Sequence, residues 1–428
     1  MSSYLRGLEV ARVVLVAALV IGMAVSISLA EIAFTVLFVW VLLARRAGVL
    51  GPLRWPLLLP IVTFAVWSAV AALVSEWPRE SILALKSLLT LGMVFVVVNA
   101  LPNAAAARRF ATWLVLALAG AAVAALVQVA ACPGPAAGEA ATTLLGKFLR
   151  KCTRARGFYS IYMTLAGVLA MMLVGTLPRL ARVGAEARWL GAAWIVSGAA
   201  LAVTYVRGAW VGFAAGAVMA AAGLGRRGIV AVAIMLVFVS VLIAVLPNVR
   251  ARVETIPDPS NATARDRLVM LGVGLRLAGD HLLAGIGPGN VKRVYPQMVP
   301  PEGFRRSTSH LHDTPLQIMV ERGLVGLAAW LWLFAAFFRR AGMILLRLPA
   351  DAPGDRALVL GSLAAIVTFL VAGLFEYNFG DTEVLMVALA LMAVPFALAE
   401  GRGATDGCPR AASAGGRPDA RGRKQVSS

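Results

Sequence analysis

The chain has 428 residues, of which 60% are hydrophobic and 14% charged, with 40 Lys and Arg against 21 Asp and Glu. An ordinary soluble domain, with a charged fraction of about 25%, is excluded, and the long apolar runs place the chain in a bilayer. The net charge of +19 would suit a nucleic-acid binder only if the cations shared one soluble face. They are dispersed between apolar runs instead, so nucleic acid is excluded as a partner.

Runs of roughly 17 to 25 apolar residues, the length a helix needs to cross about 30 Å of hydrocarbon, recur along the chain. About twelve can be drawn, at 9–26, 28–44, 56–75, 82–101, 109–131, 158–177, 189–206, 209–224, 228–247, 316–338, 357–376 and 381–399. The first, with Arg6 before it and Ser28-Leu29-Ala30 after it, has the outline of a signal peptide. A second apolar run follows at once, which favours an uncleaved first span. The sequence thus predicts an all-α integral membrane protein, with a large loop holding an amphipathic helix between the ninth and tenth spans.

Orientation follows from Lys and Arg, which stay on the cytoplasmic side of short connections. With the N-terminus inside, every inward connection is basic: Arg45, Arg46 and Arg54; Arg108 and Arg109; Arg179, Arg182 and Arg188; Arg226 and Arg227; Arg339, Arg340, Arg347 and Arg356. Residues 1–400 form one polytopic domain with outward loops at about 132–157 and 248–315. Residues 401–428 form a basic cytoplasmic tail too poor in apolar side chains to fold.

Three outward places also carry cations that this topology does not require. The 132–157 connection holds Lys147, Arg150, Lys151, Arg154 and Arg156 against the single acid Glu139. Arg207 stands in Thr204-Tyr205-Val206-Arg207-Gly208-Ala209-Trp210, with apolar helix on both sides. The long 248–315 stretch holds Arg250, Arg252, Arg265, Arg267, Arg276, Lys292, Arg293, Arg305 and Arg306. Singly, such residues are solvated loop charges, lipid headgroup contacts or snorkelling side chains. Together they describe a site for a polyanion at the outer membrane surface, because guanidinium groups grip phosphate oxygens in bidentate fashion. A charge as close to a span end as Arg207 either snorkels or faces a polar cavity.

Within the long stretch, residues 264 to 285 predict an amphipathic helix with an apolar stripe of Leu268, Leu271, Leu275, Ala278 and Leu282. Gly285-Ile286-Gly287-Pro288-Gly289-Asn290 ends it and reads as a turn rather than a phosphate loop. All three histidines, His281, His310 and His312, lie in this stretch. A metal site from His310, His312 and Asp313 and a structural role for His310 stand beside the favoured reading, in which His312 is a general base. No metal and no cofactor is expected. Cys132 and Cys152 fall on one outward connection, where a disulfide would close the basic loop.

The run His312-Asp313-Thr314-Pro315-Leu316-Gln317-Ile318-Met319-Val320-Glu321-Arg322-Gly323-Leu324-Val325-Gly326 resembles the histidine motif of the O-antigen ligase and polymerase family. That motif commonly reads His-Asn-x-x-Leu-Gln ahead of Glu-x-Gly-x-x-Gly, and Asp313 stands where the family commonly has Asn. Arg265-Asp266-Arg267, Asp280-His281-Leu282 through Asn290, and Thr204 to Trp210 match as well; Arg154-Ala155-Arg156-Gly157-Phe158 with Thr164-Leu165-Ala166-Gly167 matches more weakly. The resemblance is greatest to the ligase branch. It implies a metal-independent glycosyltransferase of the bacterial inner membrane, with both termini cytoplasmic and its active site periplasmic. The donor would be O-antigen linked to undecaprenyl diphosphate, and the acceptor a sugar hydroxyl of the lipid A core oligosaccharide. By position, His312 would be the base, and Arg207 with Arg265 or Arg267 would hold the diphosphate; His310, Arg154, Arg156 and Asp313 are secondary candidates. A polymerase of the same family and a polytopic transporter are the alternative readings.

Overall fold

The computed structural model describes residues 3–132, 152–182, 185–254, 262–301 and 305–406. Glu139, Lys147, Arg150, Lys151 and the tail from residue 407 lie outside the described residues. Every element described is helical. The helices are α1 (Ser3–Val25), α2 (Ile27–Arg46), α3 (Leu58–Leu73), α4 (Pro78–Ala84), α5 (Met93–Ala100), α6 (Ala104–Ala130), α7 (Tyr162–Leu180), α8 (Ala185–Ala202) and α9 (Arg207–Leu224). They continue with α10 (Arg226–Val245), α11 (Pro247–Glu254), α12 (Ala262–Asp280), α13 (Val291–Met298), α14 (Thr314–Arg347), α15 (Pro353–Ala372) and α16 (Thr382–Asp406).

Ten helical stretches among the described residues are long and apolar enough to span a bilayer. The protein is therefore an all-α integral membrane protein. The two expected runs that fall short are α3, which has 16 residues, and α8, whose first turn carries Glu186 and Arg188. Both still pack in the bundle, α3 against α14 and α8 against α6 and α7. The fourth run is not one α-helix: a 3₁₀ segment, Leu85–Gly92, joins α4 to α5. The last helix passes the boundary at residue 400 and runs to Asp406.

The centre of the bundle is made by α7, α9 and α15. Gly208, Gly212 and Gly216 recur every fourth residue and line one face of α9, which lets two backbones approach where side chains would separate them. A Cβ at Gly208 would stand 2.6 Å from the Phe375 Cβ, and one at Gly212 would stand 2.7 Å from the Thr368 carbonyl oxygen. This close packing presses the start of α9, and with it Arg207, onto the end of α15.

The tenth expected span is longer than predicted and broken. α14 runs for 34 residues, with Gly323 at φ 66° and ψ −171° interrupting it. Only glycine fits there, because the Leu283 carbonyl stands 2.0 Å from where a Cβ would be. The glycine-rich segment 285–290 is a turn, and it docks on this break. Ile286 N–H donates to the Val320 carbonyl at 2.8 Å and Gly287 N–H to that of Glu321 at 3.1 Å. The Glu321 side chain accepts from Gly289 N–H and from Gln317, and is paired at 2.6 Å with Arg322. Arg322 in turn reaches Ser68 on α3 at 3.0 Å. The conspicuous Glu321-Arg322 pair thus fastens the loop to the bundle.

The amphipathic helix forms as α12, and its predicted apolar stripe divides, with the leucines exposed and Ala278 buried. Leu268, Leu271 and Leu275 are 60%, 41% and 57% exposed, while Met270, Val273, Leu277 and Ala278 are buried. α12 carries two apolar stripes, and the one with the smaller and more flexible side chains packs against α14. Leu268, Leu271 and Leu275 face away from the protein.

Candidate active site

The positions of the site residues follow from how three connections are tied together. At the first, Ala155 N–H donates to the Val203 carbonyl at 3.0 Å, which brings the 152–160 segment against the link between α8 and α9. Cys132 and Cys152 are joined by a disulfide with a Cα–Cα distance of 5.5 Å, so the same segment is fixed to the end of α6. Tyr205, in that link, has φ 57°. Thr204 Oγ1 bonds back to the Leu201 carbonyl at 2.6 Å, and the tight turn starts α9 at Arg207.

The second connection is the start of α14. His312 has φ 54°, a left-handed conformation uncommon for a residue with a Cβ and of the kind found at functional sites. It is held from both sides. Leu311 N–H donates to Gln317 Oε1 at 2.9 Å, and Asp313 caps the helix by accepting from Leu316 N–H at 2.8 Å. Thr314 N–H donates to the Gly373 carbonyl at 2.7 Å, and Thr314 Oγ1 donates to the Glu376 carbonyl at 2.8 Å. The turn that carries His312 is therefore stapled to the end of α15.

That staple produces the central contact. Glu376, 7% exposed, places Oε2 2.7 Å from His312 Nδ1 and Oε1 2.5 Å from Arg267 Nη2. One buried carboxylate thus joins the candidate base to a candidate phosphate ligand. The carboxylate engages Nδ1, which leaves Nε2 on the side of Arg305. The Arg305 Nη1 stands 3.4 Å from Nε2.

The third connection completes a cavity of about 160 Å³. Arg154, Arg207, Arg267 and Arg305 line it, with His312, Glu376 and Asp266. Arg154 lies over the Tyr162 ring, 4.5 Å from its centroid, which leaves the guanidinium edge for a ligand. Cations from 152–160, α9, α12 and the segment before α14 thus meet the imidazole in one space.

The remaining predicted residues are placed apart from that cavity. Arg265 is exposed and does not line it, since two residues along α12 turn a side chain by about 200°. Arg156 is anchored differently: its backbone N–H and that of Gly157 donate to Gln128 Oε1 at 3.2 and 3.0 Å. Asp313 acts as the helix cap, and burial raises its pKa against the opposing pull of the Leu316 N–H. His310 packs edge-on behind His312, with ring centroids 4.4 Å apart, and its Nδ1 is 3.0 Å from Ser309 Oγ. Burial, and then the neighbouring His312, lower its pKa to about 4, so it is neutral at neutral pH. His281 stands in a separate space beside Leu282 and Leu283. Among the described residues, no group of three or more His, Cys, Asp or Glu has metal-holding geometry.

Two residues of the cavity were not distinguished by sequence. Glu376 reads as the last residue of an apolar run, and its signal is an acid at the outward end of a span. Arg305 is one of nine arginines and lysines in a long loop, and nothing local separates it from the others.

Residues 191–331 match a family model described as O-antigen ligase. The match does not separate the ligase branch from the polymerase branch. The matched segment runs from α8 into α14 and contains Arg207, Arg267, Arg305 and His312, whereas Arg154 and Glu376 lie outside it. A search among curated proteins gave no match.

Proposed function

We propose that the protein is the ligase form of this family, a membrane glycosyltransferase that moves a glycan from undecaprenyl diphosphate to a sugar hydroxyl of lipid A core. The observation that carries this reading is the shared cavity of four arginines, one imidazole and two carboxylates. Four cations less Asp266 and Glu376 leave a net charge of +2, the imidazole not counted. A diphosphate esterified at both ends carries about two negative charges at neutral pH, so the cavity and the donor headgroup balance.

In this reading the acceptor hydroxyl gives its proton to His312 Nε2 as its oxygen attacks the anomeric carbon. The bond from that carbon to the diphosphate oxygen breaks, and the leaving oxygen takes the electron pair. Arg154, Arg207 and Arg267 neutralise the charge that develops there, which replaces the need for a strong general acid. Glu376 holds the imidazole in the tautomer that accepts a proton, and it balances the imidazolium that forms. Attack from the face opposite the diphosphate inverts the anomeric centre. The alternation of basic connections supports a periplasmic site, because Arg54, Arg340 and Arg347 line a cavity of their own away from this one.

The test is transfer in vitro from an undecaprenyl-diphosphate glycan to rough lipopolysaccharide. Wild-type protein should transfer in excess chelator, and His312→Ala should not while still binding donor. Lengthening of the glycan on its lipid carrier, with no product on lipid A core, would replace the ligase reading with the polymerase one. Near wild-type turnover by His312→Ala would remove the base assignment.

A further inference from the structure

At the opposite end of the bundle from the cation cavity lies a second cationic space, of about 700 Å³. His312 stands just before the start of α14, whereas Arg340 and Arg347, which line this space, stand in its last turns. The two are seven residues apart, so at 100° per residue they share one face of the helix, with Arg340 about 10 Å deeper in the bundle. Met343 and Ile344 lie between them and complete that wall. The other walls are the link from α2 to α3, which brings Arg54, and Phe396 of α16.

The link is built to hold Arg54. Asn99, buried at the end of α5, accepts from the Arg54 N–H through Oδ1 at 3.0 Å and donates from Nδ2 to the Arg54 carbonyl at 2.9 Å. One buried amide thus fixes both backbone polar groups of Arg54. Beside it the exposed Trp55 stacks on Phe95, with ring centroids 3.9 Å apart. The end of α14 is held in turn, because Arg356 donates to the Leu345 and Leu348 carbonyls at 3.0 and 2.8 Å. Two fixed elements therefore bring three guanidinium groups to one space. Among the described residues its lining includes no Asp or Glu, and Arg340 and Arg347 form no ion pair. Topology alone asks that cations lie on one side of the membrane; it does not ask that they meet in one cavity.

We infer that this space is a binding site for the headgroup of an anionic phospholipid in the leaflet opposite the candidate active site. Its phosphate lies among Arg54, Arg340 and Arg347, whose guanidinium groups grip phosphate oxygens and whose mutual repulsion it relieves. A soluble phosphate would use the cations alone. Here cations alternate with hydrocarbon: Met343 and Ile344 separate the two arginines of α14, and Leu58 and Leu59, just past the wall residue Pro56, are exposed. A ligand whose charged group continues into acyl chains uses both surfaces. The two levels of cation on α14 suit a headgroup with two phosphodiesters. A zwitterionic headgroup brings its own cation into the space and gains little from the arginines.

The experiment is native mass spectrometry of the full-length protein, delipidated in detergent and titrated with diphosphatidylglycerol or phosphatidylcholine. Wild-type protein should bind diphosphatidylglycerol about tenfold or more tightly. Arg340→Gln/Arg347→Gln should lose about tenfold or more of that affinity, at roughly fivefold for each arginine. Arg226→Gln/Arg227→Gln removes the same charge from exposed positions at the same end of the bundle, outside the space, and should stay within about twofold. If the first double variant does not fold, Arg347→Gln alone, at an exposed position, should lose about fivefold. Equal affinity for the two lipids, wild-type affinity in the Arg340 and Arg347 variants, or an equal loss in the Arg226 and Arg227 variant would overturn the proposal. So would displacement of the lipid by millimolar glycerol phosphate, which would make the ligand a soluble phosphate.

Discussion

Replacing Glu376 by glutamine tests the joint between the proposed base and the proposed donor ligands with little change in volume. The neutral amide retains an oxygen for one partner only, so His312 Nδ1 and Arg267 both lose the anion, now at 2.7 and 2.5 Å, and one of them loses its acceptor altogether. Arg267 is 31% exposed and can turn to solvent, so the stability loss is about 1–2 kcal/mol rather than the larger cost of a fully buried unpaired charge. The loss in turnover is greater. A positioned general base contributes about 10²–10⁴ in rate, and a misdirected imidazole forfeits most of that. We expect kcat to fall about a hundredfold or more, with donor KM unchanged within about twofold because the released Arg267 still faces the diphosphate. The assay is steady-state transfer with donor and acceptor varied separately. In a His312→Ala background the same change should have little further effect, since the two residues act as one unit. More than half the wild-type kcat in Glu376→Gln, or an undiminished loss in the double variant, would refute the reasoning.

Three further outcomes follow from the geometry. Arg267→Ala should raise donor KM about tenfold or more, while Arg265→Ala, outside the cavity, should stay within about twofold; equal effects would mean α12 presents its other face. His310, with its pKa lowered to about 4 by burial, binds fewer protons folded than unfolded between that value and about 6.5. Its contribution, up to about 3 kcal/mol, is present above pH 6.5 or so and is lost as pH falls towards 4. His310→Gln should therefore flatten the drop in melting temperature between pH 7 and 5, and parallel curves would exclude His310 as its source. Gly208→Ala puts a Cβ 2.6 Å from that of Phe375 and should destabilise by about 1–3 kcal/mol while lowering activity, read by melting and transfer assays; unchanged stability would show that α9 can shift.

What sequence disclosed and what it withheld divide along a physical line. Arg207 stood out because it is a charge where hydrocarbon was expected, a cost visible in one dimension, and His312 because it opens a motif in a polar stretch. Choosing Arg267 over Arg265 needs the rotation of α12, and two apolar stripes on that helix made the phase ambiguous. The leucine stripe looked more hydrophobic, yet the Met270, Val273 and Leu277 face packs. Glu376 was hidden for a different reason. An acid at the end of an apolar run carries no periodic or motif signal, and its partners are 64 and 109 residues away.

Those long separations also bear on how the cavity tolerates its own charge. Four guanidinium groups around about 160 Å³ repel one another, and the repulsion grows as water is excluded. Glu376 and Asp266 relieve part of it: Glu376 binds Arg267 directly, and Asp266 Oδ1 accepts from the Arg305 backbone N–H at 3.3 Å. A ligand of two negative charges completes the neutralisation, and cleavage of the sugar–phosphate bond adds one more negative charge to the leaving group. In the proposed reaction the arginines therefore interact more strongly with the departing diphosphate than with the intact donor. An arrangement of this kind lowers the barrier, because the charge appears in the transition state. Glu376 has an opposite and complementary part, since it favours the imidazolium on the acceptor side while the arginines favour the anion on the donor side. The single carboxylate bridging both halves lets the two developing charges form in one buried site without either being left unpaired.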